Sequence, residues 1–435
     1  MNVLIVTIGS RGDVQPFLAL ALGLKNAGHQ VTLATCERFR AFVEKNGISY
    51  GFICDDLMKI IDSADGKALM EDTTNILRII AATIRMKRQV APAQRKTVED
   101  TWTVAKTVKP DILLFHPKAV LGPAIAEKLK IPAILATPVP MIVPTGEFPC
   151  VGFPDLPIGR WYNRLGYSVV NWFIKKSAAK DVRAWRSQTD TPVRRTNVDY
   201  LRDQDGKPIP ALHPISETVV PRPSDWPASS VMTGYWFLNR EETWQPPQAL
   251  MSFLADGPPP IYVGFGSMSG RNPARLGEMI IEALKQSGHR GILAKGWGGL
   301  TASRFPDSIL MIDEAPHDWL LPQVAAVIHH GGAGSTAAGL RAGKPTLICP
   351  FFADQPFWGK TVHHLGAGPK PIPQKKVTTE KLVGAIDQLM SDEGMRRNAE
   401  RIGNSLRDED GVKNAVAFVE TVAGASTGTG SSDAT

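Results

Sequence analysis

Short, almost wholly apolar runs alternate along the chain with longer segments in which apolar residues recur every three or four positions. A short apolar run predicts a strand that is buried on both faces, and the longer spacing predicts an amphipathic helix. The runs in the N-terminal half are NVLIVTI at 2–8, HQVTLAT at 29–35, DILLFH at 111–116 and PAILAT at 132–137. Strands that alternate with helices predict a parallel sheet covered by helices on both faces.

The first helix is predicted near 15–28, with Pro16 in its first turn and Gly28 at its end. A second helix is predicted near 119–129. The alternation then stops at 138–160, in PVPMIVPTGEFPCVGFPDLPIGR, which is rich in proline, glycine and aromatic residues. Because a long irregular stretch inside a compact domain is usually functional or mobile, we expect functional loops there.

The same alternation returns in the C-terminal half. The predicted strands and strand ends are IYVGFGSM at 261–268, GILAKGW at 291–297, SILMIDEAP at 308–316, AAVIHH at 325–330 and PTLICPF at 345–351. Helices are predicted near 273–286, 379–391, 393–407 and 411–423.

The length of 435 residues suits two domains of about 200 residues each. The proline- and tryptophan-rich stretch 226–260 is the predicted linker. It separates an N-terminal domain at 1–225 from a C-terminal domain at 261–423, whose last helix can pack back on the N-terminal domain. A low-complexity tail at 424–435 is predicted to be disordered. The predicted fold class is α/β, with two doubly wound, Rossmann-like domains facing a cleft.

Bulk composition narrows the class of protein. The chain is 43% apolar and 21% charged, as in ordinary globular proteins, and no apolar run reaches the roughly 18 residues of a membrane helix. The N-terminal MNVLIVTIGS has no basic start, so we interpret it as a strand rather than a signal peptide. The 4 cysteines are scattered without CxxC spacing. This pattern argues against disulfides and a metal site, and it favours a cytoplasmic location.

The net charge of +7 comes from one region. Residues 159–202 carry a lysine and arginine excess as large as that of the whole chain, and aromatic residues are interleaved with it: Trp161, Tyr162, Trp172, Phe173 and Trp185. One interpretation is a solvated helical face. The other is a surface that makes peripheral contact with an anionic membrane. No nucleic-acid-binding module is recognisable, so nucleic acid is not expected as a partner.

Ligands of doubly wound sheets bind at the carboxyl ends of strands, and VIHHGGAGSTAAGLRAGKP at 327–345 follows such an end. Glycines at 331, 332 and 334 let the backbone approach a ligand closely. The helix predicted to begin near Ser335 and Thr336 presents N–H groups that suit a phosphate, and the two hydroxyls add donors. His330 lies beside the bend and is a better candidate than His329 for a phosphate contact, as a donor or as a partial positive charge.

A second strand-to-helix turn, TIGSRGDVQP at 7–16, contains Ser10, Arg11, Gly12 and Asp13. Asp13 allows two interpretations: a helix N-cap, or a general base that faces the ligand.

Three further turns at predicted strand ends offer polar contacts. Asp354 and Gln355 can hold vicinal sugar hydroxyls, because carboxylates and amides both form paired hydrogen bonds. Trp297 can stack on a base, and backbone groups around Ala315 can read the edge of that base. Ser267 lies in GFGSMSG at 264–270, which lacks the glycine spacing of a dinucleotide site, and no GxxxxGK[ST] motif occurs at 327–345.

Several of these segments together resemble a known family. GSRGDVQP, MTGYWF, IYVGFGSM, KGWGGL, APHDWLLPQVAAVIHHGGAGSTAAGLRAGKP and PFFADQPFWG are similar in sequence and order to segments of the sterol 3-beta-glucosyltransferases. Those enzymes are UDP-dependent glycosyltransferases of the GT-B fold, which the chain is thereby expected to share. The chain also resembles the bacterial enzymes that glycosylate antibiotic aglycones.

The resemblance implies roles for individual residues. Asp13 corresponds to the catalytic base, with Ser10 and Arg11 lining the same site. Ala315 and His317 correspond to nucleoside contacts, and Asp354 with Gln355 to the sugar contact. The diphosphate loop corresponds to His330, Ala333, Gly334 and Ser335. Gly332 and Thr336, in the same turn, complete the predicted donor-binding set there. The N-terminal domain would bind the acceptor, partly through the loops at 138–160, and the C-terminal domain would bind the nucleotide sugar.

The expected function is inverting transfer of a hexose, glucose by preference, from a UDP-sugar to a hydroxyl of a lipophilic acceptor such as a sterol. No cofactor or metal is expected besides the donor substrate. A polyketide or flavonoid acceptor is the alternative within the same chemistry. A UDP-sugar epimerase or hydrolase, and a non-catalytic nucleotide-sugar-binding protein, are the alternatives of other classes.

Overall fold

The computed structural model describes residues 1–63, 76–194, 198–240, 243–265, 273–294 and 305–428. The chain divides into two compact units. The first unit comprises Met1–Glu217, Pro221–Leu238 and the chain from Asp410 onward. The second comprises Thr218–Val220 and Asn239–Glu409.

The first unit is built on a parallel sheet. Its strands are β1 (Asn2–Val6), β2 (Gln30–Cys36), β3 (Ser49–Ile53), β4 (Ile112–Phe115), β5 (Ala133–Ala136), β6 (Ala211–His213) and β7 (Ser230–Met232). They lie side by side in the order β3-β2-β1-β4-β5-β6-β7. In the centre, Val3 is paired with Val31 on one side and Ile112 on the other. The central strands read as continuous apolar runs because both of their faces are buried.

Helices connect these strands. In the first part of the chain they are α1 (Arg11–Asn26), α2 (Arg40–Lys45), α3 (Asp56–Asp62), α4 (Ile76–Val108), α5 (Gly122–Leu129) and α6 (Arg160–Gln188). The basic segment predicted at 159–202 is therefore mostly one long helix, α6. Between β5 and α6 the described chain has neither helix nor strand, as the sequence predicts for 138–160.

The second unit repeats the plan on a smaller scale. Its strands are β8 (Ile261–Gly264), β9 (Gly291–Ala294), β10 (Ile309–Ile312), β11 (Ala326–His329) and β12 (Thr346–Ile348), in the order β10-β9-β8-β11-β12. Its helices are α7 (Gln248–Ala255), α8 (Pro273–Gln286), α9 (His317–Leu320), α10 (Ala333–Arg341), α11 (Gln355–His364), α12 (Thr379–Ser391) and α13 (Glu393–Asp408). Short 3-10 turns in the described ranges span Glu37–Phe39, Leu321–Gln323 and Gln374–Lys376.

The sheet of the second unit separates two apolar clusters. Ile261 and Val263 pack with residues of α8 and α12 in one cluster. Tyr262, between them in sequence, packs with Leu250 of α7 and Leu320 of α9 in the other. This division follows from the alternation of side chains along a strand.

The last helix, α14 (Gly411–Gly428), belongs to the first unit and packs on α1. Gly23 of α1 lies against Val412, where any larger residue would collide with the valine side chain. The absence of a side chain at Gly23 therefore allows the two helices to approach closely. The helix extends past the predicted end at 423.

The interval predicted as a linker, 226–260, contains regular structure. Ser230–Met232 forms the last strand of the first sheet, and Gln248–Ala255 forms a helix of the second unit. The first unit continues to Leu238, so the boundary lies inside the predicted linker. The three-residue strand β7 is too short to give a recognisable alternation of apolar and polar residues.

The predicted start of the first helix is wrong. Helix α1 begins at Arg11, so Pro16 lies inside the helix rather than in its first turn. The start is set by the N-cap Ser10 and by Asp13, the third residue of the helix, whose carboxylate accepts the backbone N–H of Ser10. Gly28, with a φ of 88°, follows the C-cap as predicted.

Candidate active site

The strand order of the first sheet reverses between β1 and β4, which are neighbours. At such a point the connections leave in opposite directions, so the carboxyl ends of the two strands leave room for a ligand. Ser10 to Asp13 follow β1, and His116 to Lys118 follow β4. The topology therefore brings residues about a hundred positions apart to one place.

The Asp13 carboxylate is held at the start of α1. Its Oδ2 accepts the backbone N–H of Ser10 at 2.7 Å and the Ser10 hydroxyl at 3.1 Å. Gly9 precedes this turn with a φ of 152°, and a Cβ at Gly9 would overlap the carboxylate. The N-cap of α1 is Ser10, so the interpretation of Asp13 as the N-cap residue is wrong.

Two further groups face the same carboxylate. The Nζ of Lys118 lies 3.0 Å from Oδ2, and the Nε2 of His116 lies 3.4 Å from Oδ1. Burial acts to raise the pKa of Asp13, but the charge of Lys118, the interaction with His116 and the hydrogen bonds outweigh it. The pKa of Asp13 therefore lies below its ordinary value, and the carboxylate is ionised at neutral pH.

The two carboxylate oxygens differ in their surroundings. Oδ2 is engaged by Ser10 and Lys118, whereas among the described residues Oδ1 has only the longer contact with His116. The Asp13 side chain is 21% exposed. Oδ1 is therefore the oxygen that can accept a proton from a bound molecule.

His116 is a neutral partner of this carboxylate. Burial, opposed by the charge of Asp13 and reinforced by that of Lys118, lowers the pKa of His116 to about 3. The Nδ1 of His116 accepts the backbone N–H of Lys118 at 3.2 Å, which places the ring proton on Nε2, facing Asp13. The ring also packs edge-on against Phe17.

The structure gathers Ser10 and Asp13 but directs Arg11 elsewhere. The Arg11 guanidinium donates to Oε1 of Gln15 at 3.1 Å and lies over the Phe42 ring. Gly12 is exposed in the first turn of α1. His116 and Lys118 were not predicted from the sequence, although they follow the strand DILLFH at its carboxyl end, where ligands of such sheets bind.

The second sheet reverses its strand order between β8 and β11. The turn after β11 contains Gly331, with a φ of 94°. A Cβ there would lie 2.6 Å from Cγ2 of Ile348 and 3.0 Å from the carbonyl oxygen of Gln355. This position therefore requires glycine, both for its conformation and for the close approach of α11.

Helix α10 begins at Ala333, two residues before the predicted start, with Gly332 as its N-cap. No side chain in the described part of the chain caps this end, and the first N–H groups of a helix have no acceptor within it. Gly334 is exposed, and a Cβ on it would meet no atom of the described residues within 4 Å. The N-terminus of α10 is therefore open to an anion.

The two hydroxyls of this helix differ. The Thr336 side chain is fully buried, and its hydroxyl donates to the Gly332 carbonyl at 3.0 Å. Thr336 thus closes the first turn and does not present its hydroxyl outward, contrary to its predicted use as a donor to the ligand. Ser335 is only partly buried.

Imidazoles cluster behind this turn. His329 and His330 are buried, and burial, with a smaller contribution from nearby His317, lowers the pKa of both. Burial is the main cause that lowers the pKa of His330 to about 4, although a hydrogen bond to the Gly264 backbone opposes it. His330 is therefore neutral at neutral pH. His330 was expected to contact a phosphate either as a hydrogen-bond donor or as a partial positive charge. Since the ring is neutral, only the hydrogen bond is available.

The nucleoside and sugar candidates lie in other turns of the same unit. The Nε2 of His317 lies 3.2 Å from the Tyr262 hydroxyl, and Ala315 is half-buried two residues earlier. Gln355 is buried, and its Oε1 accepts the backbone N–H groups of Phe351 and Phe352 at 2.7 and 3.3 Å. Gln355 therefore braces the turn that carries the Asp354 side chain.

Asp354 is the N-cap of α11, and its Oδ2 accepts the indole N–H of Trp358 at 2.8 Å. Ser267 and Trp297 lie outside the described residues. Within the described ranges, no group of three or more His, Cys, Asp or Glu side chains could hold a metal ion. None of the described helices combines the length and the hydropathy of a membrane span.

Two family models match separate parts of the chain. Residues 3–145 match the glycosyltransferase family 28 N-terminal domain. Residues 294–415 match the C-terminal domain of the erythromycin biosynthesis protein CIII-like family.

Among solved structures, the glycotransferase of kitacinnamycin superimposes with a TM-score of 0.71 at 19% identity and covers 97% of this chain and 98% of its own. A Streptomyces glycosyltransferase complexed with thymidine diphosphate gives a TM-score of 0.64 at 19% identity, with 97% and 99% covered. The fold is that of the GT-B glycosyltransferases.

Two sterol 3-beta-glucosyltransferases of Arabidopsis thaliana are similar over most of the chain. One is 36% identical over 426 residues, covering 96% of this chain and 64% of its own. The other is 33% identical over 428 residues, covering 96% and 67%. The chain thus spans about two thirds of the length of these relatives. It belongs to the sterol 3-beta-glucosyltransferase family.

Proposed function

We propose that the protein is an inverting glycosyltransferase that moves a hexose, glucose by preference, from a UDP-sugar to a hydroxyl of a lipophilic acceptor such as a sterol. The observation that carries this proposal is the ionised Asp13 carboxylate at the carboxyl edge of the first sheet. Its Oδ1 accepts the proton of the acceptor hydroxyl as that oxygen attacks the anomeric carbon and UDP leaves.

The neighbours of Asp13 support this role. Ser10 and Lys118 hold Oδ2, so the direction of Oδ1 is set before the acceptor binds. The protonated Nε2 of His116 lies 3.4 Å from Oδ1 and can stabilise the same carboxylate electrostatically. The Nδ1 of His116 accepts the Lys118 N–H and its Nε2 carries the ring proton, so neither ring nitrogen is available to take the proton of the acceptor hydroxyl.

The second unit would hold the donor. The open N-terminus of α10 would accept the diphosphate, with Gly334 allowing close approach and His330 and Ser335 adding hydrogen bonds. Ala315 and His317 would contact the nucleoside, and Asp354 the sugar hydroxyls. The thymidine diphosphate bound to the Streptomyces glycosyltransferase supports a nucleoside diphosphate as the ligand of this fold. The proposal requires no metal, since oriented N–H groups stabilise the leaving group.

The acceptor is inferred from the relatives, which are named as sterol 3-beta-glucosyltransferases. The test is UDP release from UDP-glucose in excess EDTA, with and without cholesterol or ergosterol. We expect release that depends on sterol and persists in EDTA. Release that is equal without acceptor would indicate a hydrolase, and tight UDP binding without any release would indicate a binding protein. Release only with polyphenols or polyketides would retain the transferase and reject the sterol.

A further inference from the structure

Exposed hydrophobic side chains are concentrated in one short part of the first unit. Of the ten large hydrophobic residues that are exposed in the described chain, seven lie within 156–173 and are 45–64% exposed. They are Leu156, Ile158, Trp161, Leu165, Val169, Trp172 and Phe173. A cluster of this kind marks a surface that binds another molecule, whereas single exposed hydrophobics are ordinary.

Five of these side chains share one face of α6, because 161, 165, 169, 172 and 173 follow the spacing of three and four residues. The opposite face is buried in the first unit through Tyr167, Ala178, Val182 and Trp185. The packing of α6 on the first unit therefore does not involve the exposed face.

The same exposed face becomes basic further along the helix. Lys176, Lys180 and Arg183 continue it, and they form no salt bridge with the described chain. The ammonium of Lys176 lies 5.1 Å from the centre of the Trp172 ring, which joins the apolar and basic parts. The acid of α6, Asp181, is buried. We call this set of eight residues, Trp161, Leu165, Val169, Trp172, Phe173, Lys176, Lys180 and Arg183, the outer face of α6.

Other cations of this region are used inside the unit. Arg164 donates to Asp225 at 2.9 Å, Lys175 to Asp199 at 2.8 Å and Arg186 to Glu127 at 2.7 Å. The helix and its preceding loop are therefore anchored independently of the outer face. The Tyr162 hydroxyl also donates to the Pro154 carbonyl at 3.0 Å, which holds the loop bearing Leu156 and Ile158 against the helix.

We propose that the outer face of α6, with Leu156 and Ile158, docks on the surface of an anionic phospholipid bilayer. A helix with tryptophan, phenylalanine and leucine beside lysine and arginine lies in the plane of the interface, where the rings reach the acyl boundary and the cations meet phosphate. The absence of exposed acids from the helix fits a negatively charged surface. This binding goes beyond the proposed function and does not depend on it.

The test is sedimentation of the whole protein with vesicles of phosphatidylcholine, with or without phosphatidylserine, in the absence of substrates. We expect binding to vesicles that contain phosphatidylserine. The pair Trp172→Ser and Phe173→Ser should weaken it by at least about tenfold, since the serine side chains no longer bury apolar area in the bilayer. The triple change of Lys176, Lys180 and Arg183 to glutamine should weaken it by about a hundredfold, at about fivefold for each cation.

The matched control combines Met251→Ser on α7 with Lys285→Gln on α8, an exposed hydrophobic and an exposed cation of the second unit. It should bind vesicles like the unchanged protein. All variants should keep the thermal midpoint, because the altered side chains are exposed. Absence of vesicle binding, or equal binding by all variants, would overturn the proposal. So would a dimer that the outer-face changes abolish without any binding to lipid, since the partner would then be a second copy.

Discussion

At the carboxyl edge of the first sheet a carboxylate meets an ammonium and an imidazole, whereas the corresponding edge of the second sheet presents neutral imidazoles and open backbone N–H groups. Both edges lie where the strand order reverses, so topology alone does not explain the difference. The first edge keeps one acidic group ionised, as a proton acceptor requires. The second carries no fixed charge of its own in this turn, and it can bind an anion through dipoles alone.

The two edges should also differ in how they respond to substitution of single residues. In the proposed mechanism, the chemistry of the first edge depends on one atom, Oδ1 of Asp13, while that of the second is shared among several donors. Substitutions at the first edge should therefore affect turnover, and substitutions at the second should affect donor affinity.

The largest effect is expected for Asp13→Asn. It keeps the size of the side chain but removes the proton acceptor, so kcat should fall by about 10²–10⁴. UDP affinity, measured by calorimetry, should not change. Ser10→Ala is the control, because it removes the 3.1 Å hydroxyl contact and leaves the carboxylate in place. Full turnover by the Asp13→Asn variant would refute the role of the carboxylate.

The next largest effects are expected at two glycines of the second edge, one that affects UDP affinity and one that affects stability. Gly334→Ala places its methyl group in open space, so stability should be unchanged while UDP binds at least about tenfold more weakly. Gly331→Ala should instead cost about 1–3 kcal/mol of folding free energy, because its backbone is left-handed and its Cβ would meet Ile348. Calorimetry measures the UDP affinity, and thermal unfolding measures the stability. Undiminished UDP affinity in the Gly334→Ala variant would place the phosphates elsewhere.

A pH profile examines the charge balance at the first edge. The proposed mechanism needs ionised Asp13, so we expect activity to be lost as pH falls through the lowered pKa of that carboxyl group. Lys118→Met removes a charge that lowers this pKa, so the acid limb of kcat/KM should move to higher pH. Lys118→Arg keeps the charge and should keep the limb. An acid limb that stays in place in the methionine variant would show that another group sets it.

The smallest effects distinguish the two hydroxyls of α10. Thr336→Val should cost about 0.5–1.5 kcal/mol of stability and leave UDP affinity unchanged, because the hydroxyl bonds Gly332 internally. Ser335→Ala should weaken UDP binding by about two- to tenfold at unchanged stability. The opposite pattern, with Thr336 needed for UDP, would mean that the first turn of α10 opens when the ligand binds.

Most of the central strands and several helices were predictable from local pattern. The helices at 273–286 and 379–391 begin and end where the spacing of apolar residues indicates. Long helices were harder: α4, with Pro92 inside it, was not predicted, and neither was the full extent of α6. The strands β6 and β7 have three residues each, too few for any periodicity to appear.

What the sequence determined by itself is the alternation of strands and helices, the glycine turn at 331 and the presence of a carboxylate after the first strand. These features depend on backbone conformation and on near neighbours in the chain. The partners of Asp13, the internal use of the Thr336 and Gln355 side chains and the neutral state of His330 were decided by the tertiary structure. Burial and distances between remote residues set pKa values and hydrogen bonds, and the fold alone brings His116 and Lys118 to Asp13.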